Sequence, residues 1–151
     1  MSDSLDALED WASHLLARVA PAERARMAQA IALKLRRSQQ RRITAQKEPD
    51  GTAFEPRKRP PLRQKQGRIR TKAKMFQKLK AARHLKARGR AQGLTVGFEG
   101  RVSRIARVHQ DGLRDRPRRD LEKVQYERRR VLGLSAADRE MIRDELLERL
   151  A

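Results

Sequence analysis

The 151-residue chain contains no cysteine. That excludes a disulfide framework, a thiolate metal site and a cysteine nucleophile, and it accords with a reducing compartment. Aromatic residues are scarce: Trp11, Phe54, Phe76, Phe98 and Tyr126 are all there are, so the core has to be mainly aliphatic. No apolar run approaches the roughly 18 residues of a spanning helix, and the acidic N-terminus is unlike a secretory signal. A soluble protein with no membrane partner, cytosolic when made, is the expectation. Phosphate-cradling glycine loops, a Gly-x-Gly-x-x-Gly run and a His-Glu-x-x-His pair are all missing. His14, His84 and His109 are far apart, and none has a carboxylate or second histidine at ligand spacing on a shared helical face. No serine sits in a nucleophile elbow. We therefore assign no catalytic residue, no cofactor site and no metal site, and expect a non-enzyme.

Acid is missing from one whole region. Between Glu55 and Glu99 there is no Asp or Glu, while residues 57–90 hold fifteen lysines and arginines. Over the full chain 38 Lys and Arg stand against 19 Asp and Glu, a net charge of +19. Such an excess predicts self-repulsion in isolation and attraction to polyanions or acidic protein surfaces. Base-stacking modules interleave aromatics with basic residues, yet Phe76 alone lies between Phe54 and Phe98. No zinc finger or basic zipper is present either, so any nucleic-acid contact is expected to be sequence-independent and salt-dependent. Arg57, Lys58, Arg59, Arg63, Lys65, Arg68, Arg70, Lys72 and Lys74 are the candidate interaction residues, facing DNA or an acidic partner. The competing view is a solvated charged segment. Either way, mobility in the free protein is expected.

What is present forms folded units around that run. Thr95-Val-Gly-Phe98 is a short β-favouring stretch closed by Glu99-Gly100. From Arg101 the period changes to about 3.6 residues, which puts Val102, Ile105, Ala106 and His109 on one helical face and Arg104 and Arg107 opposite. Gly112 stands where a left-handed C-cap ends that helix. Val96, Phe98, Val102, Ile105 and Ala106 are expected to be buried together, with Ile105→Asp costing several kcal/mol. His109, on the apolar side, reads as a hydrogen-bonded and partly buried side chain.

Upstream, residues 2–19 carry the stripe Leu5, Leu8, Ala12, Leu15, Leu16 and Val19, with Trp11 at its edge. Pro21 suits the first position of a second helix running to about Gln46, with Ala28, Ile31, Ala32 and Leu35 inward. A short connection makes these an antiparallel hairpin, covering the core or projecting to a partner subunit. Two prolines and Asp50-Gly51 punctuate residues 48–58. Over Ala81 to Arg88 helix and strand compete, because alanine and lysine disfavour β structure; we favour a hairpin through Gly89–Gly93 onto Thr95–Phe98. Leu113 to Asp120 reads as a charged loop, and Lys123-Val-Gln-Tyr126 as a short strand. Ser135-Ala-Ala-Asp138 resembles a capping box, opening a helix with Met141, Ile142, Leu146, Leu147 and Leu150 on its apolar side. The expected fold class is α+β: a small antiparallel sheet packed by helices, with an N-terminal helical hairpin and a C-terminal helix. Its expected divisions are a hairpin over 1–46, a basic proline-containing loop over 47–74, and an α+β core over 75–151.

Several stretches together resemble the phage virion morphogenesis family, the tail completion proteins of contractile-tailed temperate phages. They are Leu35-Arg-Arg-Ser-Gln-Gln-Arg-Arg-Ile43, Pro49-Asp-Gly-Thr-Ala-Phe-Glu-Pro-Arg-Lys58 and Met75-Phe-Gln-Lys-Leu-Lys80. Further on come Val96-Gly-Phe-Glu-Gly-Arg-Val-Ser-Arg-Ile-Ala-Arg-Val-His-Gln-Asp-Gly-Leu-Arg-Asp115 and Leu132-Gly-Leu-Ser-Ala-Ala-Asp-Arg-Glu-Met-Ile142. They run in order over most of the chain from Leu35. One departure is Tyr126-Glu-Arg-Arg129, where relatives often read Tyr-Pro-Ala-Arg. The resemblance implies a structural virion protein in the neck, assembled in the host cytoplasm, with the small α+β fold of tail-terminator proteins. It also implies a homo-oligomeric ring, expected as a hexamer, whose partners are tail tube and sheath proteins, head connector or neck proteins, and packaged DNA. Composition alone favours a different class, a freestanding nucleic-acid-binding protein.

Overall fold

Proline at the start and a left-handed residue at the end delimit the longest element. The computed structural model describes residues 2–58 and 73–150. Helix α2 (Pro21–Ala45) begins with Pro21, whose missing N–H is no loss at a helix start. It stops at Gln46, in the left-handed conformation with φ of 59°, whose N–H reaches the carbonyls of Arg42 and Ile43. At 1.5 Å per residue its 25 residues extend about 37 Å, enough to underlie everything else. Met27, Ile31, Ala32, Leu35, Gln39 and Ile43 are buried along one stripe of it.

Before it lies α1 (Ser2–Leu16), and after the basic segment comes a β-hairpin of β1 (Leu85–Arg90) and β2 (Gly93–Phe98). The strands are antiparallel in a register from Leu85↔Phe98 to Arg90↔Gly93, leaving Ala91 and Gln92 as a two-residue loop. The same-face set Leu85, Ala87 and Gly89 on β1, with Phe98, Val96 and Leu94 on β2, turns toward α2. Gly89 makes the closest approach: a Cβ there would lie 2.0 Å from the backbone nitrogen of Gln29. Its N–H instead donates to Gln29 Oε1 at 2.8 Å.

Helix α3 (Arg101–Asp111) is next along the chain, and Gly112 ends it at φ 62° and ψ 54°. A two-residue pairing of β3 (Arg114–Asp115) with β4 (Val124–Gln125) comes after it, so part of the expected charged loop is a short strand. The last element is α4 (Ala136–Leu150). Its start is a reciprocal cap in which Ser135 N–H donates to Asp138 Oδ2 at 2.9 Å and Asp138 N–H donates to Ser135 Oγ at 3.1 Å. The architecture is a small α+β fold with antiparallel strands packed by helices.

Two expectations about the core are corrected. The buried core cluster is Met27, Ile31 and Leu35 of α2 with Leu146 of α4, and of the five residues expected to be buried together, which lie within residues 94–112, only Val96 packs against it. Within that unit Ala106 is buried and Val96, Phe98 and Val102 are half-buried, but Ile105 is 49% exposed. The second buried side chain of α3 is instead Val108, which the expected apolar face left out. Leu147, expected on the apolar side of α4, is likewise 53% exposed.

Candidate interaction site at the base of the basic segment

The candidate interaction residues lie between two phenylalanines, and the folded body holds both ends of that segment. On the outgoing side the chain leaves α2 through a tight turn. Glu48 N–H donates to the Thr52 carbonyl at 2.8 Å, Phe54 N–H to the Gln46 carbonyl at 2.9 Å, and Asp50 Oδ1 accepts from Thr52 N–H at 3.0 Å. These bonds bring Phe54 inward, where it is 4% exposed.

Arg129 fixes the two residues after Phe54. Its side chain is buried, and it donates through Nε to the Glu55 carbonyl at 2.6 Å and through Nη2 to the Pro56 carbonyl at 2.8 Å. Its backbone N–H donates to the His109 carbonyl at 2.7 Å. A guanidinium is suited to this place because its planar fork presents several donors at once and no acceptor. Next to it, Arg130 points the other way and gathers the carboxylates of the turn, at 2.9 Å from Glu48 Oε2 and 2.7 Å from Asp50 Oδ2. Successive residues of an extended chain face opposite sides, which divides one buried arginine from one that braces the turn.

The returning side is clamped by Gln46. Its Nε2 donates to the Met75 carbonyl at 2.9 Å, and its Oε1 accepts from Met75 N–H at 2.6 Å. One amide side chain thus imitates a pair of ladder bonds. Phe76 adopts φ of 63°, a costly conformation for a bulky residue. Its ring stacks edge-to-face on Phe54 at a centroid separation of 5.5 Å and on His109 at 4.9 Å, and His109 stacks on Tyr126 at 5.1 Å. Four rings in a row therefore join the entry and exit of the segment to α3 and the strand region beyond it.

Electrostatics keep this cluster neutral at its centre. Burial, then the charges of Arg129 and Arg57, push the His109 pKa down to about 4. At neutral pH the ring is uncharged, and Nδ1, 3.4 Å from Arg129 Nη1, acts as the acceptor with the proton on Nε2. Burial also pulls the Arg129 pKa down, opposed by Glu127 and Glu55, and it raises that of Tyr126.

Three of the nine candidate interaction residues fall within the described chain. Arg57 is half-buried beside the His109 and Arg129 cluster. Lys58 is exposed, donates to the Gln125 carbonyl at 3.3 Å and lies 3.7 Å from Glu127 Oε1. Lys74 donates to the Thr44 carbonyl of α2 at 3.1 Å. Arg59, Arg63, Lys65, Arg68, Arg70 and Lys72, together with the expected mobility of the segment, lie outside the described residues. The residues that hold the base were not singled out from sequence, apart from the half-buried His109. Phe54 and Phe76 carried a usable signal, because they bracket the start of the acid-free run; for Arg129 the signal was that it matches the final arginine of the relatives' Tyr-Pro-Ala-Arg, and Gln46 carried none. Among the described residues no group of three or more His, Cys, Asp or Glu is placed to hold a metal ion. No helix among them is long and apolar enough to cross a membrane.

Fold and site together define a small, strongly basic α+β protein with a charged segment clamped at both ends. The chain belongs to the phage virion morphogenesis family, whose model matches residues 3–151. It is 41% identical over 143 residues to tail completion protein S of Escherichia phage P2, an alignment that covers 94% of each chain. No solved structure gives a significant match.

Proposed function

We propose that this protein is a structural, non-enzymatic component that completes a phage tail, forming a homo-oligomeric ring at the head-proximal end and joining tail to head. The observation that carries this reading is the 41% identity to a tail completion protein over 94% of both chains. Six-fold symmetry, tail tube and sheath proteins below, and head connector or neck proteins above complete the proposal. The clamped base supports it physically. A segment with nine cations between Arg57 and Lys74 repels itself, and more so where copies meet in a ring. With its two described ends held on the folded body at Phe54 and Phe76, we propose that the charge of Arg57 to Lys74 serves to meet DNA passing through the neck or an acidic neighbouring protein. Exposed Leu5, Trp11, Ile105, Leu113 and Leu147 are available for contacts between subunits.

The test is complementation of a phage lacking its own copy, read as tailed particles in electron micrographs and as plaque titre. Deleting residues 136–151 should abolish assembly. Changing Arg63, Lys65, Arg68, Arg70, Lys72 and Lys74 to Gln should leave folding and ring formation intact but block head joining or retention of DNA. The composition favours a second reading, a freestanding nucleic-acid-binding protein. A purified monomer at high salt combined with normal virions in its absence would establish that instead.

A further inference from the structure

Away from the clamped base, the outer face of α2 and the chain around Lys74 to Ala81 enclose an open groove of about 700 Å³. Arg37 and Arg41, one helical turn apart, form one wall; Lys74 and Lys80 form the other. Thr44 and Gln40 between them are well bonded. Lys80 Nζ donates to Thr44 Oγ1 at 2.7 Å, Gln40 Nε2 donates to the Lys80 carbonyl at 2.8 Å, and Thr44 Oγ1 donates to the Gln40 carbonyl at 2.8 Å.

From this we infer that the groove binds the phosphate backbone of a nucleic acid. The inference goes beyond the tail role and does not depend on it. Two contrasts support it. Surface cations elsewhere among the described residues either have a carboxylate, as Arg26 has Glu23 and Arg88 has Glu99, or lack one without lining this groove, as do Arg101, Arg116, Arg119 and Arg143. Among the described residues no carboxylate pairs with Arg37, Arg41, Lys74 or Lys80, so four like charges share one trough with nothing to offset them. The second contrast separates phosphate from protein. Protein interfaces place large apolar or aromatic anchors at their centre. This groove offers only Ala45 and Ala81, and the chain's exposed large apolar side chains, such as Trp11 and Ile105, do not line it. A cationic trough without an apolar anchor suits a periodic polyanion, whose condensed counterions are released as each phosphate is neutralised.

The experiment is fluorescence anisotropy of a labelled mixed-sequence duplex DNA with the purified full-length protein over a salt series. The groove variant Arg37→Gln/Arg41→Gln/Lys74→Gln/Lys80→Gln is compared with a control of equal net charge, Arg101→Gln/Arg116→Gln/Arg119→Gln/Arg143→Gln. Each lost phosphate contact should reduce the log–log salt slope by about 0.9, so the groove variant should be shallower by about 3 to 4 and bind at least tenfold more weakly. The control should change the slope by less than about 1. Because Lys80 is tied to Thr44, the double variant Arg37→Gln/Arg41→Gln, at two exposed positions, keeps the test independent of folding and should lose about 2. Equal losses in the groove and control variants overturn the inference. So does DNA binding unchanged in the groove variant while its affinity for polyglutamate falls, which would assign the groove to an acidic protein.

Discussion

The two halves of α2 are held in different ways. Over its first turns Met27, Ile31 and Leu35 meet Leu146, and Ala12, Leu16 and Val19 pack on that cluster from the α1 side. The fit is loose, because an apolar cleft of about 840 Å³ runs between α1, α2, β2 and α4, lined by Leu5, Leu8, Leu94, Val96 and Ile142 among others. Over its last turns the contacts are directed. Gln39 Nε2 and Arg42 Nη1 both donate to the Gly133 carbonyl, at 3.0 and 3.1 Å, and Gln46 clamps Met75. Apolar packing has no preferred direction and tolerates gaps at a graded cost. Buried hydrogen bonds are made or lost, and losing one leaves a desolvated group behind. The half of α2 that carries the segment's base is thus the half where position is specified bond by bond.

The largest effect should come where the hairpin presses on the first half of α2, at Ala28 and Gln29. Gly89→Ala places a Cβ 2.0 Å from backbone that cannot yield, so the hairpin must lift off α2. A loss of about 4 kcal/mol is expected in urea melts. Arg129→Met comes second, at about 3 kcal/mol, since it strands the Glu55 and Pro56 carbonyls. If it cost less than Leu8→Ala at the edge of the cleft, the contrast between the two halves would fail.

Acid should also weaken the ring cluster beside the polar half, through His109. A folded pKa of about 4 for His109 lies below its ordinary 6.5, so the folded state binds fewer protons than the unfolded one. Stability is then full above pH 6.5 and falls as pH drops toward 4. With the ring partly exposed, the loss is about 1 to 2 kcal/mol. Comparing His109→Phe with the parent over that range isolates the effect from the carboxylates, and the variant should show the smaller decline.

The cleft gives the opposite sign. Ala12→Leu should fill part of it and raise stability by about 0.5 to 1 kcal/mol, seen as a higher midpoint at unchanged slope. Smallest of all is Ile105→Asp, expected within about 0.5 kcal/mol because the side chain is half exposed. A collapse of soluble protein would restore Ile105 to the core.

Much of the fold was legible where its cause is local. Pro21 at a helix start, Gly112 in the left-handed region after α3, and the Ser135 and Asp138 exchange at the start of α4 each depend on atoms within a few residues. The β1–β2 hairpin was legible too, although its loop proved to be Ala91–Gln92 rather than the whole of Gly89–Gly93. At the candidate site the acid-free run of cations was plain in the sequence, but what holds it was not. Arg129 is one of three consecutive arginines, and nothing local distinguishes the buried one from its neighbours.

Composition and short-range pattern by themselves determined a basic, cysteine-free α+β chain, the boundaries of its helices to within a few residues, and the location of its unbalanced charge. Tertiary structure decided which apolar stripe is central, that Ile105 and Leu147 face outward, and that Phe54, Phe76, His109 and Tyr126 meet in a row. It also decided that Arg37 and Arg41 share a groove with Lys74 and Lys80. The physical reason is one of range. Caps and turns are set by hydrogen bonds between near neighbours, whereas burial depends on what lies opposite, and the partners of Arg129 at residues 55 and 56 are more than seventy positions away.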